Sequence, residues 1–347
     1  ARINHRMHNK LLIADSQVAI VGGRNIAEEY FGFNRNRNFR DFDVMTTGEV
    51  MPQITNSFDS YWNSDWAFPV AIVDRRKGTQ EELNRLRGEL RANAAILDDW
   101  VKSAAAESHN WATQWAALAP TMLPGKAKIY QDNPDIGDDA PPEQAARKIL
   151  TMLAKTEADV VSISAYLIPP DDVLRSINDL SQRGVRIKAL TNSLASNNHV
   201  AAHTAYRHRR KQLLEAGVEL HELRPHAPER TRFEAPGFTA EHIGLHAKIL
   251  VLDKRFVFVG TLNADPRSIV LNTEVSLMID SPELAEAILT AFSTDFTPQN
   301  SWRVVLGENG KLTWHSSDAV LDQQPAGSIW RRVGDFFIGL LPIDEQM

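Results

Sequence analysis

His246-Ala247-Lys248-Ile249-Leu250-Val251-Leu252-Asp253 stands late in the chain, and Gly260-Thr261-Leu262-Asn263 follows it. The same arrangement occurs near the start as His8-Asn9-Lys10, Asp15 and Gly22-Gly23-Arg24-Asn25. Both copies read H-x-K, four residues, D, six residues, G-x-x-N. With each fixed residue at about 5% usage, one such match by accident has odds on the order of one in ten thousand for this length. Two matches are an internal repeat.

The letters between the fixed positions give the local structure. Lys10-Leu11-Leu12-Ile13-Ala14 and Lys248-Ile249-Leu250-Val251-Leu252 are apolar and partly β-branched, which predicts strands buried on both faces. Asp15 and Asp253 each open a turn, and Val18–Val21 and Phe256–Val259 return as second strands. Residues two apart on a strand share a face, so each copy presents an imidazole beside an ammonium. The glycine turn then brings Asn25 or Asn263 back beside them.

This arrangement resembles the phospholipase D superfamily, whose H-x-K-x4-D motif occurs twice per active site. Asn272-Thr273-Glu274-Val275 looks like the second acidic position of that family, with Asp41-Phe42-Asp43-Val44 as its counterpart in the first copy. Within the superfamily the likeness is to bacterial cardiolipin synthases. It rests on Gly22–Ile26 with Glu29-Tyr30-Phe31-Gly32, on Thr191-Asn192-Ser193-Leu194-Ala195-Ser196, and on Leu340-Leu341-Pro342-Ile343.

The resemblance implies phosphatidyl transfer between phospholipids through a phosphohistidine. Phospholipase D hydrolysis and metal-independent phosphodiester cleavage of nucleic acid are the alternatives, and an inactive lipid-binding scaffold is the non-enzymatic one. A phosphodiester is anionic, so a site must neutralise charge and supply a reactive atom. Lys10 and Lys248 supply ammonium charge, and Asn25 and Asn263 add neutral donors. By the resemblance His8 is the nucleophile and His246 the acid/base, with Asp43 and Glu274 orienting the imidazoles. Asp15 and Asp253 read mainly as structural braces. No metal or other cofactor is expected, because the lysines carry the charge a metal would. The H-x3-H pairs His199/His203 and His242/His246 lack the Glu of a zinc hydrolase motif. Asp132-Asn133-Pro134-Asp135-Ile136-Gly137 has Pro134 and Ile136 where a calcium loop needs oxygen ligands, so it reads as a solvated linker.

The fold class expected is α/β, with two pseudo-symmetric lobes, each a mixed sheet flanked by helices. Helices are predicted at 143–156, 171–183 and 201–216, alternating with strands at 159–164, 185–190 and 218–223 ahead of His246. Only seven residues precede His8. The first lobe is therefore expected to be amino-terminally truncated, with an open sheet edge. The boundaries drawn are 1–72 for the first lobe, 73–124 for a helical insert, 125–300 for the second lobe and 301–347 for a tail. A long helix is predicted over 81–107, with Leu83, Leu86 and Leu90 on one face, and it reads as a packing insert between the lobes.

A net charge of −6 argues against a nucleic-acid partner, and phospholipids are the partners expected. No apolar run approaches the roughly 20 residues needed to cross a bilayer. The resemblance implies peripheral attachment to a bacterial cytoplasmic membrane. Ile329, Trp330, Val333, Phe336, Phe337, Leu340 and Leu341 recur at helical spacing, which suits an interfacial helix or, as the alternative, a terminal helix docked on the protein's own surface. Arg207-His208-Arg209-Arg210-Lys211, with His203 and Tyr206, is a candidate collar for anionic headgroups.

Overall fold

The structure is a computed structural model that describes residues 5–74, 78–95, 102, 110–134 and 144–339. It divides into two compact units. One holds residues 1–64 with 125–347, and the other holds residues 65–124.

In the larger unit, β1 (Arg6–Met7), β2 (Leu11–Ala14), β3 (Val18–Gly22), β4 (Arg37–Arg40) and β5 (Asp43–Thr47) come from the first copy of the repeat. β2, β3 and β5 make a three-stranded antiparallel sheet. The outer strand β2 presents Leu12 to solvent, and Ile20 of β3 is exposed beside it. After the helix Met51–Trp62 the chain reaches β6 (Lys126–Gln131).

The second copy builds a ten-stranded sheet. It contains β7 (Asp159–Ser164), β8 (Arg186–Asn192) and β9 (Glu219–Leu223), parallel to one another. The helices Gln144–Leu153, Asp171–Gln182 and Val200–Glu215 alternate with them. β10 (His242–Leu245) pairs outside this sheet, whereas β11 (Lys248–Leu252) runs antiparallel to β7 within it. Next come β12 (Phe256–Gly260), the short β13 (Asn272–Thr273) and β14 (Val275–Asp280), with β12 and β14 extending the sheet and β6 closing that side. On the other side β9 is followed by β15 (Ser301–Leu306), β16 (Leu312–His315) and β17 (Val320–Leu321). The segment from residue 301, read from sequence as a tail, thus supplies three strands before its helix Ile329–Ile338. Val304 and Trp314 alternate inward on those strands and are buried, a period-2 pattern that a search for helical stripes passes over.

Each face of the large sheet carries its own core. Ile149, Leu180, Val160, Ile187, Leu213 and Phe258 pack on one face, and Ile54, Ile163, Leu190, Ile249, Leu277 and Phe292 on the other. The side-chain alternation of β7, β8 and β11 produces this division.

The hairpins after each lysine are alike in backbone. Asp15 and Ser16 have φ of 50° and 54°, and Asp253 and Lys254 have 50° and 51°. Two consecutive left-handed residues define the two-residue turn whose twist matches antiparallel strands. Gln17 N–H donates to Ala14 O at 2.9 Å and Arg255 N–H to Leu252 O at 3.0 Å, closing both turns. An Asp at the first left-handed position tolerates that conformation better than a β-branched residue does.

The smaller unit contains helices Val70–Val73, Gln80–Ala95 and Trp111–Leu118. Leu83, Leu86 and Leu90 are exposed, so the stripe expected to pack the insert is uncovered. The rest of the long helix expected through residue 107 lies outside the described residues, Lys102 excepted.

Candidate active site

Each H-x-K segment sits where the chain changes sheets. Met7 and Thr273 are partners in the parallel pair β1–β13, and His8 N–H then donates to Thr273 O at 3.0 Å. Leu245 and Arg40 are partners in the parallel pair β10–β4, and His246 N–H donates to Arg40 O at 2.8 Å. Both histidines therefore occupy a break between two strands instead of lying on one. The break turns the imidazoles away from their own sheet toward the opposite copy.

Each histidine consequently takes its carboxylate from the other half. His8 Nδ1 lies 2.9 Å from Glu274 Oε2, and His246 Nδ1 lies 2.8 Å from Asp41 Oδ2. Glu274 is the acid anticipated from sequence. The acid on His246 is Asp41, not Asp43, because Asp43 instead accepts from Arg24 Nε at 2.5 Å. Strand register explains the correction. Gly22 faces Asp43 across β3–β5, and Gly260 faces Ser276 across β12–β14. Two residues before each of these partners stand Asp41 and Glu274, so the acids correspond when counted from the glycines. The shared Val of Asp43-Val44 and Glu274-Val275 misaligned them by two.

Both glycines are required by close approach. A Cβ on Gly22 would lie 2.0 Å from Asp43 Oδ1, and one on Gly260 would lie 2.2 Å from Val275 O. The backbone can then carry Asn25 and Asn263 back to the cluster. Asn25 Nδ2 donates to the Tyr30 hydroxyl at 2.8 Å, and the Tyr30 ring stands edge-on to His246 with centroids 4.9 Å apart. Asn263 is buried, and its Oδ1 has no partner among the described residues.

The lysines complete the cluster. Lys10 Nζ donates to His8 O at 2.7 Å, and Lys248 Nζ lies over its own histidine, 2.9 Å from Nδ1 and 3.1 Å from Nε2. Burial lowers Lys10 to a pKa of about 8, against the opposing pull of Glu274 and Asp41. Burial likewise lowers Lys248 to about 8, where Asp41 raises it and the charge on Lys10 lowers it further. His246 is held at about 4, first by burial and then by the Lys248 ammonium, despite its bond to Asp41. For Asp41, burial alone would raise the pKa, but the His246 hydrogen bond and the Lys248 charge bring it below the ordinary carboxylate range. Groups from both repeats thus act on one another in a single electrostatic cluster.

Three supports were not visible in the repeat. Asp265 is buried and accepts from Ser268 N–H at 2.7 Å. Burial, then the nearby Glu274, raises it to about 6 against the opposing Ser268 hydrogen bond, and it also feels His8. Its counterpart by spacing is Ala27, so the duplication gives no signal for it. Asp132, read as part of a solvated linker, is buried and accepts from Glu274 N–H at 2.8 Å and Ala145 N–H at 2.9 Å. Residues 135–137 of that stretch lie outside the described residues. Tyr61 donates to Asp132 O at 2.8 Å and braces the same corner.

Asp253 does not reach the cluster. Its carboxylate accepts from the N–H groups of Glu157, Ala158 and Asp159 at 2.7–3.2 Å, tying the hairpin to the start of β7. Asp15 occupies the equivalent turn. His203 and Tyr206 also fall elsewhere, buried in a network with Arg210, Glu222 and Gln324. The basic run around them is tied up by acids. Arg207 pairs with Asp335, Arg209 with Asp171, Arg210 with Glu222 and Lys211 with Glu215. A helix that carries five consecutive polar residues must bury some of them, and here the buried ones have carboxylate partners. The headgroup collar is therefore absent from this helix.

Comparison with known proteins agrees with this geometry. Residues 149–296 match the family described as "Cardiolipin synthase, PLD-like domain". Cardiolipin synthase C of Escherichia coli is 30% identical over 99% of this chain and 74% of its own length. The chain belongs to the cardiolipin synthase family of phospholipase D-like proteins. Cardiolipin synthase 2 of Bacillus cereus is 24% identical over 85% of this chain, which spans 46% of that relative's length. The fold is also that of the phosphatidylserine synthase from Haemophilus influenzae Rd KW20, with a TM-score of 0.58 at 14% identity, covering all of this chain and 72% of that one. The α/β class and the phospholipase D-like architecture expected from the repeat are those observed.

Proposed function

We propose that this protein transfers a phosphatidyl group from one phospholipid to a hydroxyl of another, making cardiolipin through a phosphohistidine. The observation that carries the reading is the crossed pairing of His8 with Glu274 and His246 with Asp41 around two lysines. Each carboxylate binds Nδ1, which leaves Nε2 of His8 for chemistry, and that of His246 once Lys248 moves away from it. His8 Nε2 attacks phosphorus, the bond from phosphorus to the departing alcohol oxygen breaks, and His246 protonates that oxygen. In the second half the acceptor hydroxyl gives its proton to His246 while its oxygen attacks phosphorus and the phosphorus–nitrogen bond breaks. In the cluster two ammonium groups face the carboxylates of Asp41 and Glu274. A phosphodiester adds one negative charge and draws Lys248 from over His246. That removes the Lys248 repulsion, which adds to burial in holding the imidazole neutral, and so favours uptake of the proton it must deliver.

Detergent-solubilised phosphatidylglycerol, incubated with the protein and resolved by thin-layer chromatography, should give cardiolipin and glycerol. The yield should be unchanged by EDTA, because Lys10 and Lys248 carry the compensating charge. Phosphatidic acid as sole product would indicate hydrolysis, and activity restored only by added metal would overturn the lysine mechanism.

The two lysine pKa values set the alkaline limit. As pH rises through about 8, Lys10 and Lys248 lose the protons that pair with phosphate, so kcat/KM should fall. A bound phosphodiester favours the charged lysines, so kcat should decline at higher pH than kcat/KM. A kcat/KM that keeps rising beyond pH 9 would contradict this assignment.

Attachment to the membrane fits the helix Ile329–Ile338. Asp335 is buried, accepting from Thr204 Oγ1 at 2.7 Å and Gln324 Nε2 at 2.7 Å and pairing with Arg207 at 3.0 Å. Trp330 is 78% exposed and Phe337 62%, with Ile329 and Phe336 also outward. A helix that docks through its acid and leaves its aromatics outside suits a lipid interface. Among the described residues no helix is long and apolar enough to cross a membrane. Replacing Trp330, Phe336 and Phe337 together by Ala should weaken binding to phosphatidylglycerol vesicles by about tenfold or more, with turnover of detergent-solubilised donor retained. Unchanged vesicle binding would exclude this face as the contact.

A further inference from the structure

Near the histidine cluster stand two further cations, Arg37 and Arg331, that have no carboxylate partner among the described residues. Arg37 stands on β4 opposite His242, and its side chain has no hydrogen-bond or ion-pair partner among the described residues. The charge of Arg331 acts on it, and Arg37 in turn acts on His199 and His242. Glu241, an exposed residue 3.9 Å from His242, pairs with that ring. Arg331 donates through Nη2 to the carbonyl of Asn197, and its Nε is buried without a partner. Two arginines whose charges act on one another while partly withdrawn from water are each stabilised by an anion that joins them.

Tyr166 connects this group to the catalytic one. Its ring lies 6.1 Å from that of His199, and its hydroxyl donates to Asn198 Oδ1 at 3.2 Å. It also feels Arg37, Asp265 and Tyr30, and Tyr30 is the residue set edge-on to His246. Along the β4–β10 pair, His242 lies four residues before His246. That is about 13 Å of strand, of the order of a phosphate–glycerol–phosphate unit together with the reach of one arginine. Arg331 belongs to the helix whose aromatic side faces outward, so a headgroup leaving a lipid surface there would meet it on the way in.

We infer that Arg37, Arg331 and His199 form an acceptor subsite that holds the phosphodiester of the second phospholipid while its hydroxyl approaches His8. This rests on the transfer reading above, since only an acceptor lipid brings a second phosphate on the same glycerol. Planar guanidinium groups suit such a phosphate, and a single phosphodiester cannot occupy both clusters.

Two measurements on the full chain test it. In titration calorimetry, glycerol 1,3-bisphosphate should bind about tenfold or more tightly than glycerol 3-phosphate. Arg37→Gln and Arg331→Gln should each bring that ratio close to one, and Arg37→Lys should keep most of it. A ratio near one in the unaltered protein, or an unchanged ratio in both Gln variants, would overturn the subsite. In turnover with a phosphatidyl p-nitrophenol donor, the Gln variants should lose roughly ten- to hundredfold in kcat/KM for phosphatidylglycerol as acceptor. Transfer to glycerol, which bears no phosphate, should be unaffected; equal losses with both acceptors would overturn the assignment. Competition by soluble glycerophosphoglycerol would show that the phosphodiester itself is recognised, whereas failure to compete would tie recognition to the lipid-bound headgroup. Absence of transfer by the unaltered protein, with the bisphosphate preference intact, would instead strike the transfer reading.

Discussion

His8→Ala and His246→Ala should each lower phosphatidyl transfer by about four orders of magnitude or more, and the double variant should be little worse than either single one. Residues that act as one unit give such non-additive losses, because removing either leaves only binding and charge neutralisation. The two variants should nevertheless differ in where they stop. With p-nitrophenol as leaving group no proton need be delivered, so His246→Ala should still accumulate a phosphoryl adduct on His8. His8→Ala should form none. The structure favours this order, since the His8 side chain is 29% exposed and that of His246 only 8%. Mass-spectrometric trapping of the adduct on His246 would reverse the roles.

The next largest effect separates two aspartates that lie two residues apart. Asp41→Asn should reduce kcat by about 10²- to 10⁴-fold, because the imidazole of His246 loses the acceptor that fixes its tautomer and its counter-charge. Glu274→Gln should do the same through His8. Asp43→Asn should cost less than about tenfold, since Asp43 binds Arg24 at the edge of the three-stranded sheet. Steady-state kinetics of the three variants, alongside their thermal melts, would decide the matter. Equal losses for Asp41→Asn and Asp43→Asn would remove the crossed pairing from the mechanism.

What the sequence made legible is the part that repeats. Spacing alone identified the histidines, lysines and asparagines, because a duplicated pattern of fixed residues has few physical explanations. The parallel strands before His246 were legible from apolar runs that alternate with predicted helices. Asp41 was misassigned because two acids flank Phe42, and only strand register tells which one faces the cleft. Asp265 and Asp132 had no repeat partner, and their role depends on Glu274, 9 and 142 residues away along the chain. The three strands after residue 301 were hidden behind the stronger helical stripe that follows them. His203 and Tyr206 were drawn toward the site by the charges beside them, but those charges find their partners within the protein.

The crossed carboxylates make competence a property of the joined molecule. A half-folded or nicked chain would hold one imidazole with no acid to orient it, and the other half would hold the mirror deficiency. Such a species could rest on a bilayer without attacking its lipids. Separately produced halves, each silent, should regain turnover only on association, so activity itself would report when the two have met. Under the proposed transfer activity, this arrangement would guard against premature chemistry through which strand each histidine leans upon.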